Sequence, residues 1–243
     1  AGDLVFMDFD PLNHVLYDRL LPLDGFMNKD AEYKKWKYFD KGAPDQFKYF
    51  GKRYAMPGGL YTSIFWCNRN MFEEAGLKIP GWEWTVDDFI TIAQKLTKDF
   101  DGDGKIDQYG AHVLPLWRDY HMMAFIEPIP GWTYSAWYTY DKETGFVNGS
   151  NMNHPNVVKG LQLIQDLYVK YKVTPSAELG NPFTAGLTFA AGKVAIDTFG
   201  ASWSLGNVPA SKEGFRWAAA PYFTFKKGEP STGAPLLQRA KGA

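Results

Sequence analysis

The stretch Asp99-Phe100-Asp101-Gly102-Asp103-Gly104-Lys105-Ile106-Asp107 carries the most specific chemical spacing in the chain. Carboxylates fall at the first, third, fifth and ninth positions of an EF-hand loop, Gly104 stands at its sharp-turn position, and Lys105 offers a backbone carbonyl at the seventh. Hard oxygen donors at this spacing suit calcium, so Asp99, Asp101, Asp103, Lys105 and Asp107 are the expected ligands of a structural Ca2+. The twelfth position holds Gly110 instead of a bidentate glutamate, which predicts weak affinity or a shell completed by another carboxylate. An unmetallated Asp/Gly turn is the competing reading. Either way the role is structural, since nothing here resembles an open catalytic metal site.

Two further groups have the chemistry to hold a ligand. Asp8 and Asp10 follow the apolar run Asp3-Leu4-Val5-Phe6-Met7, which lacks alternation and reads as a strand covered on both faces. That places the two carboxylates at the carboxyl end of a strand, where open α/β sheets put their ligand crevice. Asp10 is equally suited to cap a helix beginning at Pro11. Trp203 comes just after Gly200-Ala201-Ser202, at the end of an apolar strand over 193–199; small neighbours leave its ring clear for stacking, with simple lobe packing as the alternative. Trp117, Tyr120, Trp132, Tyr134, Trp137, Tyr138 and Tyr140 are interleaved with prolines and glycines, and some of them are expected to line a cleft. His121 lacks a partner at metal spacing and reads as a packed or surface histidine, and Asn148-Gly149-Ser150 reads as a turn rather than a glycosylation site.

Composition narrows the partners. With 26 basic and 27 acidic residues among 243, the formal charge of −1 gives no field suited to nucleic acid or an anionic membrane. Apolar runs fall short of a bilayer span. The single cysteine, Cys67, lies inside an apolar strand and reads as core. Aromatic residues make up 17% of the chain, an excess that suggests exposed flat surfaces matched to flat ligands.

The elements that must position these groups centre on 54–77. Pro57-Gly58-Gly59 breaks the chain, Leu60 to Cys67 reads as a strand, and Asn68 caps a short helix ended by Gly76, an arrangement suited to a joint between lobes. Thr85 and Asp88 form a capping box, with Asp in place of Glu, for a helix in which Phe89, Ile92 and Leu96 share a face. Pro155 opens a second helix with Val157, Leu161, Ile164, Tyr168 and Tyr171 facing the core. Weaker patterns predict a helix over 12–23, surface helix and loop over 28–52, a hairpin turn at 141–145, a short helix over 183–191 ended by Gly192, and a strand near 215–221.

Tyr54-Ala55-Met56-Pro57, the run Cys67 to Leu77, Thr85 to Phe89, Asp99 to Gly110, Gly192 to Ile196 and Gly200 to Trp203 resemble, in order and approximate spacing, the extracellular solute-binding proteins of ABC importers, family 1, sugar and oligosaccharide type. The resemblance implies an α/β, two-lobe, type II periplasmic-binding-protein fold that closes on ligand about a hinge. It places a partial first lobe at 1–57, a hinge crossing at 58–62, a second lobe over 63–221, a return hinge at 222–225, and a tail, 226–243, that returns to the first lobe. Measured against it, the leading βα units and closing helices are absent, so the first lobe is expected to be incomplete and the chain a fragment. By position in the family pattern, Trp203 stacks on a sugar from the second lobe, Asp8 and Asp10 bind hydroxyls from the first, Tyr61 sits at the hinge, and Trp117 adds a contact. The implied function is to bind an oligosaccharide in the inter-lobe cleft, without catalytic residues, and to deliver it to ABC transporter membrane subunits, as a monomer located outside the cell or in the periplasm, with lipid anchoring of the parent as one form. The rival readings are a glycoside hydrolase, which needs two carboxyl groups about 5 to 9.5 Å apart across one bond, and a binding protein for a peptide or other polar solute.

Overall fold

The computed structural model describes residues 12–32, 47–56, 63–113, 123–127, 129, 138–141, 144, 146–175, 188–201 and 214–229. Two compact units emerge: unit 1 is Ala1–Leu60 with Tyr138–Ser150 and Gln238–Ala243, and unit 2 is Tyr61–Trp137 with Asn151–Leu237. The strand expected at 3–7 and the crossing expected at 58–62 lie outside the described residues.

In unit 1, the helix expected over 12–23 is two short ones, α1 (Leu12–Leu16) and α2 (Asp24–Met27). Asp18 takes a φ of 51°, which ends α1, and Pro22 cannot continue a helix through its missing N–H. Within the 28–52 stretch, β1 (Lys48–Tyr49) and β2 (Lys52–Arg53) pair as a hairpin across Phe50 and Gly51, both at positive φ as a type I′ turn requires. A second hairpin joins β5 (Tyr138–Tyr140) to β6 (Val147–Ser150) through the expected turn, where the Asp141 carboxylate accepts from the Thr144 N–H at 2.7 Å. Asn148, Gly149 and Ser150, expected to form a turn, are strand residues instead: Gly149 pairs with Thr139, and a Cβ on it would lie 2.6 Å from the Thr139 hydroxyl. The sequence reading kept this hairpin inside the 63–221 lobe. It belongs to unit 1, where the Phe146 ring stands edge-on to Phe50 at 5.3 Å.

Unit 2 is built on a four-stranded mixed sheet in the order β4-β7-β3-β8, from β3 (Ser63–Asn68), β4 (Tyr109–His112), β7 (Val194–Ala201) and β8 (Trp217–Ala220). β4 and β7 run parallel, while β3 is antiparallel to both of its neighbours. Asn68 ends β3 and caps α3 (Arg69–Glu74), its side chain accepting from the Met71 N–H, and Gly76 at φ 66° turns the chain away. α4 (Val86–Leu96) starts at the expected capping box, with Thr85 and Asp88 bonded reciprocally. α5 (Pro155–Val169) buries Val157, Gly160, Ile164 and Leu167, and its cap is His154, whose ring nitrogen accepts from Asn156.

Alternate residues of β3 point to opposite faces. Phe65 and Cys67 enter the main core with Phe72, Trp84, Phe89, Leu96, Phe125 and Ile164, while Trp66 joins Phe189 in a smaller cluster flanked by Phe215 and Trp217. The Phe65 ring lies 4.7 to 6.4 Å from those of Tyr222, Phe223, Trp84, Phe89 and Phe125. Among the described residues, eleven aromatic side chains are buried, and each fully buried ring contributes about 1.5–3 kcal/mol by leaving water. Burial pushes the Cys67 thiol up, in keeping with its inert place there.

Residues 222–225, read from the resemblance as a return hinge, pack in this core. Tyr222 and Phe223 are buried, Trp84 Nε1 donates to the Pro221 carbonyl at 2.9 Å, and Thr224 exchanges backbone bonds with Trp84 and Val86. Unit 2 continues to Leu237. Residues 188–192, the described part of the expected 183–191 helix, form a turn closed by Gly192 at φ 70°.

Candidate functional site

The acidic loop hangs from the C-terminal end of α4. Its base is closed by Lys98 and Gln108, the Lys98 N–H donating to the Gln108 carbonyl at 2.8 Å. The Gln108 side chain turns inward to donate to Leu96 O at 2.7 Å, and the Thr97 hydroxyl donates to Ala93 O, so two carbonyls at the helix end find partners. Inside the loop the carboxylates organise the backbone: Asp99 accepts from the N–H groups of Gly102 and Gly104, at 2.7 and 2.9 Å, and Asp107 from that of Phe100 at 2.8 Å. Gly102 and Gly104 take φ of 75° and 86°, which residues with a Cβ rarely adopt.

This folding gathers part of the expected ligand set. Carboxylate oxygens of Asp99, Asp101 and Asp107 lie within 4.8 Å of one another. Oxygens around one calcium at about 2.3–2.6 Å reach similar mutual separations, so these three residues fit a hard divalent cation. Asp103 stands outside the group: its carboxylate accepts from the Lys105 N–H at 2.8 Å and lies 3.4 Å from the Lys105 ammonium. Gly110 shows why no glutamate occupies the twelfth position. A Cβ there would lie 1.8 Å from Ala93 O, so this residue serves the close packing of β4 on α4. Burial by itself would raise the Asp99 carboxyl, but the N–H groups of Gly104, Gly102 and Asp103, with the Asp101 side chain, outweigh it and hold the group below its ordinary range.

On α3, Glu73 is held low by hydrogen bonding to Arg216 and also pairs with Arg69 at 3.2 Å. That is a surface ion-pair network joining α3 to the residue before β8. Of the expected sugar contacts, Asp8, Asp10, Tyr61, Trp117 and Trp203 all lie outside the described residues. Sequence reasoning passed over His112, Thr174 and Thr198, buried polar residues where β4 ends. The available signal was a histidine closing an otherwise apolar strand and an Asp-Thr pair inside another.

A model of the bacterial extracellular solute-binding protein family matches residues 3–242. The chain belongs to that family. Among solved structures, an ABC substrate-binding protein from Listeria monocytogenes in complex with cycloalternan is 22% identical with a TM-score of 0.63, the match covering 90% of this chain and 51% of that one. An ABC transporter solute-binding protein from Thermotoga lettingae bound with alpha-D-tagatose is 19% identical with a TM-score of 0.59, covering 94% and 57%. The maltose/maltodextrin-binding domain of Bdellovibrio bacteriovorus bound to maltotriose is 22% identical with a TM-score of 0.57, covering 90% and 51%. No curated protein matches the sequence. This solute-binding protein has the α/β, type II periplasmic-binding-protein fold and spans about half the length of those structures.

Proposed function

We propose that the protein binds a carbohydrate, an oligosaccharide by preference, and hands it to the membrane subunits of an ABC importer on the outer side of the membrane. The family match over residues 3–242 carries this reading, and the sugars bound by several neighbours of the same fold support a carbohydrate as the ligand. A sugar ring offers an apolar C–H face and a rim of hydroxyls; Trp203 and Trp117 supply the matching flat faces, while Asp8, Asp10 and Tyr61 supply acceptors and donors. Differential affinity for a closed state is what the importer would read, and no bond is made or broken. Calorimetric titration with maltotriose and mannobiose, run beside a hydrolysis assay, tests the reading. Binding without turnover is expected. Release of reducing sugar would replace it with a glycosidase, and Trp203→Ala should remove most of the affinity if the platform is correctly placed.

The acidic loop is proposed to hold structural calcium through Asp99, Asp101 and Asp107, with Asp103 and the Lys105 carbonyl as the further donors of the motif. The measurement is a melting curve in calcium and in chelator. Calcium at 100 times its Kd adds about 2.7 kcal/mol to a folded state that alone binds it. A transition that does not move, or that moves equally in Asp99→Asn, would remove the metal from the loop.

A further inference from the structure

The described part of unit 2 buries polar side chains sparingly: Asn68, Gln108, His112, Thr174, Thr198 and Thr224. Asn68 caps α3, Gln108 closes the end of α4, and Thr224 bonds Trp84 O. The other three meet at one place, the point where β4 leaves its parallel neighbour β7. His112 is the last residue of β4 and pairs across the ladder with Asp197. Its Nδ1 lies 3.7 Å from Asp197 Oδ1, within ion-pair range when the ring is protonated, with the imidazole 2% and the carboxylate 15% exposed. The Thr198 hydroxyl donates to His112 O at 2.7 Å. One residue on, the Val113 N–H donates to the Thr174 hydroxyl at 3.0 Å, and the Tyr168 hydroxyl from α5 donates to Val113 O.

The backbone groups of a buried strand end need partners in any case, and here buried side chains supply them; the His112–Asp197 pair is the part that no backbone group requires. Buried polar networks rigidify the backbone that they join, and the carboxyl ends of parallel strands are where α/β folds build ligand contacts. Trp117 follows His112 by a few residues in sequence, and Trp203 follows Thr198 in the same way.

We infer that His112 and Asp197, with Thr198 and Thr174, form a positioning clasp that fixes the direction in which the chain leaves β4 beside β7, and so sets the affinity of the ligand contacts that follow. The clasp touches no sugar itself. Its effect on affinity rests on the carbohydrate-binding reading above; its effect on the strand ends does not.

The test uses the whole chain and two substitutions at one site. His112→Phe keeps a ring of similar size without nitrogens, and His112→Asn returns a polar group near the Nδ1 position. Amide hydrogen exchange read over 109–113 and 194–201 should quicken at least tenfold in His112→Phe and return most of the way in His112→Asn, with α4 and α5 unchanged. Equal exchange in wild type and His112→Phe, or a uniform rise across unit 2, would overturn the clasp and leave only a packing role. If His112→Phe does not fold, Thr198→Val carries the same measurement, with the same pattern required. Where the wild type binds maltotriose or mannobiose, His112→Phe should weaken it at least fivefold and His112→Asn should restore it; unchanged affinity overturns the link to ligand. A wild type that binds neither sugar removes the functional reading, and exchange alone then decides the clasp.

Discussion

The two ends of α4 are held by opposite physics. At the N-terminal end the capping box leads directly out of the aromatic core, where Trp84 packs against Phe65 and Phe89 and bonds Pro221 O. At the C-terminal end the chain passes into a solvated loop whose shape comes from carboxylates accepting backbone N–H groups. The first end is stabilised mostly by apolar area removed from water, with the Asp88 carboxylate of the capping box as its one charged support. The second depends on carboxylates, so it responds to pH. One helix thus joins the aromatic core of unit 2 to a loop held by carboxylates.

The difference can be broken most forcefully at the core end. Phe65→Ala should cost about 3–5 kcal/mol in denaturant unfolding, because the ring is wholly buried among five others. A loss below about 1 kcal/mol would mean that the aromatic nest is not the main source of stability. Gly110→Ala strikes the flank of the helix near its other end. With Ala93 backbone 1.8 Å from the added carbon, the strand must move, and about 1–3 kcal/mol or more should be lost by the same measurement. Thr85→Ala removes the cap and should cost about 1 kcal/mol, with exchange quickening first at 86–89.

The smallest effect sharpens the contrast by pH. The Asp99 carboxyl is held below its ordinary value in the folded chain, so its contribution is present above the unfolded pKa and is lost as pH falls through the folded one. Acidification should therefore speed exchange over 98–108 before it affects the aromatic core around Phe65 and Phe89. Asp99→Asn should abolish that acid-dependent step while leaving the capped end as it was. Equal response at both ends would show that the loop and the core open together.

Local pattern made some of this legible and context withheld the rest. Asn68, Thr85 with Asp88, Gly76 and Pro155 act through neighbours a few residues away, and each does what its position predicts. The hairpin across Phe50 and Gly51 was missed because phenylalanine rarely takes the left-handed region that its turn demands. Asn148-Gly149-Ser150 has turn composition yet lies in a strand, since its partner strand overrode local preference. At the candidate site, the Asp spacing identified the loop, but only the folded loop separates Asp103, engaged by Lys105, from the three carboxylates that converge. The clasp at His112 had almost no local signature, because Asp197 and Thr198 come from a strand far along the chain.

The sequence by itself determined the family, the capped helices, the acidic loop and the buried place of Cys67, because each depends on short-range spacing or on a motif order that survives in one dimension. Tertiary structure alone decided that residues 222–225 pack in the core, that the 138–150 hairpin joins unit 1, and that the described rings around Phe65 are interior. Those outcomes depend on which distant surfaces meet and exclude water. Composition states how much apolar surface there is to bury, and only the packed chain states where it goes.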